Sequence, residues 1–243
     1  MRNILMLILS ALLSLSTGCS VLNDTTKLLY TSNDDMFLAT NFFIHPDYNN
    51  FSIKRVMLAP IKNESTHTDV AKTLEPIFIR EYVKLNKFEI IPTPSEIEEE
   101  LSSFNVREKG TFYALHLYDI GKRYNVDAII FTSITAYSPY EPCVIGVNAQ
   151  MISTYSGIVA WALNEIYDGN QRSVENLAKV FYFEKLRFAH PLYDWTIMMS
   201  SIRYFAQMVA YDVSQTMNDY YIVPTTSHKL LNIATMEPAF SKQ

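Results

Sequence analysis

The sequence predicts an α/β (α+β) domain: a mixed β-sheet of about five strands with flanking helices, closed by a long C-terminal helix. Three observations carry this. Two short apolar runs, residues 55–60 and 87–92, are each followed by a helical pattern, the signature of parallel strands joined by right-handed crossovers. Residues 145–151 alternate apolar and polar, as one strand of an antiparallel hairpin does. Residues 194–218 repeat apolar side chains every three or four positions. A mixed sheet with helices on at least one face is the packing solution for such a set.

Taken in order, residues 19–50 read as a tether, rich in Asn, Asp, Thr and Ser and without a sustained period. Met36, Phe37, Leu38 and Phe42, Phe43, Ile44 are too apolar for a pure linker, so part of it is expected to lie along the domain. The run from Arg55 to Pro60 reads as a strand buried on both faces, followed by a polar turn at Asn63, Glu64, Ser65 and Thr66. Val70, Leu74, Ile77, Phe78 and Leu85 then mark a helix, which either starts near Glu75 or kinks at Pro76. Lys87 to Pro92 is the second strand. Thr93, Pro94, Ser95 and Glu96 form a helix start in which Thr caps and Pro takes the first helical position.

Another helix spans residues 112–124, and a third strand runs from Val126 towards Tyr137. In the hairpin that follows, Ile145, Val147, Ala149 and Met151 face one way and Gly146, Asn148 and Gln150 the other. Tyr155, Ser156 and Gly157 supply its turn, and Ile158 to Tyr167 return. Residues 174–186 look helical. Asp194 caps a final helix reaching Asn218, with Met198, Ile202, Phe205, Val209, Val213 and Met217 on its apolar stripe. The domain proper is expected over residues 51–222 and an irregular tail over 223–243.

The totals describe a globular chain with a real core: 49% hydrophobic residues, 20 Lys+Arg against 25 Asp+Glu, 16 Tyr and 14 Phe. A mildly acidic chain without a Lys/Arg cluster is a poor nucleic-acid binder, and no nucleic-acid partner is expected. The aromatics fill a core or a subunit interface, where they are enriched. Of the two cysteines, Cys143 has no intramolecular partner if Cys19 is modified, so the fold cannot depend on an internal disulfide.

The first 18 residues have the form of a secretory signal: Arg2, an apolar stretch from Ile4 to Leu15 broken only by Ser10 and Ser14, then Ser16, Thr17 and Gly18 before Cys19. The stretch is too short for a permanent bilayer span, which needs about 20 apolar residues. The end of this segment resembles the lipobox of bacterial lipoproteins, with Ser16 where that pattern usually has Leu. The resemblance implies cleavage after Gly18, a diacylglycerol on the Cys19 thiol and an acyl chain on its new amino group. Two or more acyl chains hold a protein at a membrane stably, whereas one does so only marginally. Ser20 rather than Asp after the cysteine implies, again by resemblance, the periplasmic face of the outer membrane.

A second resemblance covers residues 54–185. Val56 to Pro60 with Asn63, Glu64 and Ser65, then Phe88 to Ile91, then Tyr124 to Ile134, and then Met151 to Trp161 resemble successive units of lipoproteins similar to the curli export channel. This implies a CsgG-like, TolB N-terminal-like fold and the ring-forming periplasmic part of such proteins. The long inserted hairpins that build that family's pore have no counterpart here. The 144–167 hairpin is long enough for a barrel strand pair, but it is read as part of the domain's own sheet, with its apolar face under a helix.

Signatures of chemistry are sparse. His45, His67, His116, His190 and His228 are far apart, without zinc-ligand spacing, and no metal is expected. His116 and Asp119 share a helix face, a common surface pairing. There is no nucleophile elbow and no Gly-rich phosphate loop. Glu96, Glu98, Glu99 and Glu100 sit in the first turns of a helix, where acidic side chains favour the positive dipole end, and read as a solvated face. Candidate contact residues are Tyr137 and Tyr140 in a stiff Pro-rich loop, and Tyr204 and Tyr211 beside the main stripe of the final helix.

The expectation is a lipid-anchored, non-catalytic envelope subunit without a bound cofactor, working by contact with the outer membrane and other envelope proteins in a homo- or hetero-oligomer. The alternatives are a monomeric periplasmic module that regulates an envelope enzyme, and a hydrolase with a spatially assembled site.

Overall fold

The computed structural model describes residues 36–103, 111–190 and 192–218. Gly18, Cys19, the tether up to residue 35, His228 and the 223–243 tail lie outside the described residues. Seven strands form one mixed sheet: β1 (Phe42–Ile44), β2 (Arg55–Leu58), β3 (Lys62–Asn63), β4 (Glu89–Ile91), β5 (Ala128–Ser138), β6 (Val144–Ser153) and β7 (Val159–Asp168). The helices are α1 (Val70–Leu85), α2 (Ser95–Ser103), α3 (Thr111–Tyr124), α4 (Arg172–Phe181, continued by a π turn, Tyr182–Leu186), α5 (Ile197–Ser200) and α6 (Ile202–Gln215). The strand order is β1-β7-β6-β5-β2-β4, with β3 also against β5.

The parallel half follows from the two strand–helix units. β2 pairs in parallel with both β4 and β5, and Val56 and Met57 are fully buried on opposite faces. Asp127 pins the start of β5 to that of β2: its carboxylate accepts the backbone N–H groups of Lys54 and Arg55 at 2.9 and 2.8 Å. The antiparallel half, β5-β6-β7, follows from the alternating hairpin. Gly157 has φ +66 in the turn, and a side chain there would meet Ala114 of α3 at 3.0 Å.

Two cores result. On one face, α1, α4 and α6 cover Ile145, Val147, Ala149 and Met151 of β6 along with Trp161 and Tyr167 of β7. The apolar face of the hairpin is therefore buried inside the domain. On the other face, Ile97 and Leu101 of α2 and Leu117 and Ile120 of α3 pack on Met57, Ile129, Phe131 and Ile152.

The sheet has two more strands than the sequence reading allowed. Both are very short, three residues in β1 and two in β3, and runs of that length carry no period to detect. β1 also moves the start of the ordered body ahead of residue 51. Phe42–Ile44 pair with β7, Phe37 packs on the Tyr167 ring at 4.7 Å, and Ala39 is fully buried. The Glu165 carboxylate accepts the N–H groups of Thr40 and Asn41, each at 2.6 Å. Residues 36–44 are a strap across the core.

α1 begins at Val70 and runs through Pro76. The carbonyl that Pro76 leaves without a donor is that of Lys72, an exposed residue, where water can take its place. The final helix is broken. Ser201 is extended (φ −120, ψ 112) and serves as the N-cap of α6, its carbonyl accepting Phe205 N–H at 2.9 Å. Ser200 bonds back to the Thr196 carbonyl at 3.2 Å, a local bond that competes with helix continuation.

Candidate interaction surface

The described helices cover only half of the second face of the sheet. Among the described residues, α2 and α3 lie over its parallel end, and the outward side of β1, β7, β6 and the far part of β5 carries no helix. Register sorts that side into three rows. Phe43, Ala162 and Gln150 form the first, which ends at Phe131 under the helices. Asn164, Asn148 and Ser133 form the second. Ile166, Gly146 and Ala136 form the third.

An open antiparallel face is ordinarily polar, and the middle row obeys that rule. The outer rows do not. Ile166 is 54% exposed and Phe43 47% exposed. Ile166 stands beside Gly146, where an added Cβ would lie 2.5 Å from Thr135 Oγ1, so no side chain can cover it from that strand. The result is a flat strip of small residues with a projecting Ile at one end and a Phe at the other, separated by amides that can exchange hydrogen bonds. Two large apolar side chains exposed on an otherwise polar face are a departure from that rule, and this face is the candidate contact surface. The signal was present in β7, where Asn164, Ile166 and Asp168 should all be polar on an open face and Ile166 is not.

The four tyrosines singled out from sequence do not converge. Tyr137 is half-buried on the opposite, covered face and meets the His67 ring edge-on at 5.5 Å. Burial, with a smaller contribution from Cys143, raises its phenol above the ordinary range. Tyr140 is 75% exposed at the tip of the β5–β6 loop. Tyr204 meets the rings of His190 and Tyr193 edge-on, at 5.5 and 6.2 Å. Tyr211, two helical turns further along α6, packs on Phe181 at 5.2 Å and carries Lys185 Nζ over its ring at 5.2 Å. It lines a groove of about 460 Å³ between α6, α1 and the π turn. The buried Glu81 lines the same groove and is held by Lys84 Nζ at 2.9 Å.

The remaining titratable groups are structural in their settings. Cys143 is buried, its Sγ lies 3.8 Å from the Pro139 carbonyl, and burial with Glu141 nearby pushes its thiol up to about 11. His116 pairs with Glu100 across α3 and α2 rather than with Asp119 of its own helix. Glu75 is raised by burial and by Glu98 of α2, an effect opposed by the Ile61 N–H that it accepts. Among the described residues, no group of three His, Cys, Asp or Glu side chains is placed to hold a metal ion. No helix among them is long and apolar enough to cross a membrane.

No protein-family model matches the chain, and no curated protein matches it either. Solved structures overlap it in part. The PelC dodecamer from Paraburkholderia phytofirmans is 12% identical over 55% of this chain and 78% of its own, with a TM-score of 0.35. Lipoprotein GNA1162 from Neisseria meningitidis is 13% identical over 49% and 85%, with a TM-score of 0.36. LpoB from E. coli is 8% identical over 57% and 74%, with a TM-score of 0.35. None of these likenesses assigns a family, and the resemblance to the curli-export group rests on the sequence motifs alone.

Proposed function

We propose that this protein is a non-catalytic subunit of a multi-subunit envelope assembly, such as a secretion or surface-export apparatus, held at the periplasmic face of the outer membrane by acyl chains on Cys19. The observation that carries the contact role is the half of the sheet that no described helix covers, with Ile166 and Phe43 about half exposed on a face that a solitary antiparallel sheet would keep polar. The signal-like segment ending at Cys19 carries the location. The mechanism is mechanical. Lipid fixes position, and the open strip binds a neighbouring subunit, with the middle Asn row setting register.

Light scattering on the mature Cys19→Ser chain tests this reading. A mass of several subunits that falls to one subunit in Ile166→Asp, with unchanged circular dichroism, is expected. A single-subunit mass in both chains, with no envelope protein co-purifying, favours the monomeric accessory module instead.

A further inference from the structure

The segment between the π turn and α5 presents large apolar side chains to solvent. Phe188 is 81% exposed, Leu192 95% and Tyr193 50%. Residues 187–190 and 193 are nevertheless tied down by hydrogen bonds. Arg187 N–H bonds to the Tyr182 carbonyl at 2.9 Å, and Ala189 and His190 N–H groups to that of Leu186 at 3.0 and 2.9 Å. The Tyr182 hydroxyl donates to the Tyr193 carbonyl, the rings of Tyr193 and His190 pack together at a tilt, and both meet Tyr204 edge-on. Phe188 and Leu192 thus project beside a hydrogen-bonded frame.

Arg187 is the second observation. Its guanidinium lies 4.5 Å from the centre of the Phe188 ring and 6.0 Å from that of Phe183. Its Nε is buried and has no hydrogen-bond partner among the described residues. Two rings flank the guanidinium, its Nε is offered no acceptor by the described residues, and its planar fork matches a phosphate. The charges around the tip balance, Lys185 and Arg187 against Glu184 and Asp194. That fits a headgroup layer of phosphate and ammonium better than a strongly anionic ligand.

We propose that this loop is a second membrane contact, in which Arg187 takes the phosphate of a phospholipid headgroup while Phe188 and Leu192 enter the acyl boundary beside it. Aromatic and aliphatic side chains next to a snorkelling cation are the composition that such an interface selects. Geometry allows it. The 17 residues from Cys19 to Asp35 span at most about 60 Å, so a bilayer that holds the anchor lies within reach of the domain. The contact would fix which side of the domain faces lipid and which faces neighbouring subunits. It deepens the anchored reading, but its test does not use the anchor, so a failure of acylation and a failure of the loop are read separately.

The test is co-sedimentation of the mature Cys19→Ser chain with phosphatidylethanolamine–phosphatidylglycerol vesicles, with Trp195 fluorescence read against brominated acyl chains. Trp161 is fully buried and serves as the internal reference. Binding with quenching of Trp195 is expected. Leu192→Ser and Phe188→Ser should each lower partitioning at least about tenfold, and Arg187→Gln should weaken it at unchanged quenching depth. Three results would overturn the proposal: no partitioning of the parent chain, partitioning unchanged in Leu192→Ser, or full release by millimolar inorganic phosphate, which would make Arg187 an anion site rather than a bilayer contact.

Discussion

The hydroxyl of Tyr167 in β7 donates a 2.8 Å hydrogen bond to Asp212 Oδ2 in α6, with both residues buried. One helical turn on, Trp161 Nε1 donates to Thr216 Oγ1 at 3.0 Å. These two bonds fix how α6 sits on the sheet, since the surrounding contacts are apolar and tolerate sliding. Tyr167→Phe removes a donor to a buried carboxylate, and a cost of about 1–3 kcal/mol is expected. Urea unfolding should show a lower midpoint at unchanged slope.

One side chain, Glu165, adds to the β1 pairing and the Phe37 contact that hold the strap. Glu165→Ala leaves the N–H groups of Thr40 and Asn41 without their acceptor. A loss of about 1–2 kcal/mol is expected, together with faster hydrogen exchange at those two amides and little change in β6. Unchanged exchange at Thr40 and Asn41 would mean that β1 alone holds the strap.

Glu75 gives the stability a pH dependence. Burial first and Glu98 second raise its carboxyl above the ordinary value of 4.5. A raised acid favours the protonated form in the folded state. Its contribution is therefore present below pH 4.5 and is lost as pH rises through the folded value. Glu75→Gln keeps an acceptor for the Ile61 N–H and removes the charge. The variant should melt higher than the parent at pH 7 and at the same temperature at pH 4, by scanning calorimetry.

Cys143 should be inert. With its thiol near 11, only about one part in a thousand is thiolate at pH 8. In a Cys19→Ser chain, where Cys143 is the single thiol, labelling by a maleimide should be at least about 100-fold slower in the native protein than in urea. Fast native labelling would show that the β5–β6 loop opens.

Residues whose role is written in periodicity were legible: the buried run of β2, the alternation of β6, and the stripe of α6. What escaped depends on distance in sequence or on very short elements. β1 exists only because Phe42–Ile44 find β7 some 120 positions later. The break at Ser201 sits inside an unbroken apolar stripe, and only the paired serines signal it. The tyrosines were chosen for their type, yet Tyr137 faces a core, and exposure alone distinguishes Tyr140 from it. The contact strip was hidden because its evidence is one apolar residue, Ile166, on the polar phase of β7, and its flat companion is a glycine on the neighbouring strand.

The most direct measurement is photo-cross-linking from position 166 in intact cells, with a probe at the exposed Lys72 of α1 as the control. The open strip predicts a discrete protein adduct from 166, either to a second copy or to another envelope subunit, and none from 72. An abundant protein that gives no adduct from 166 contradicts the proposal that this half of the sheet is where the subunit makes its contacts.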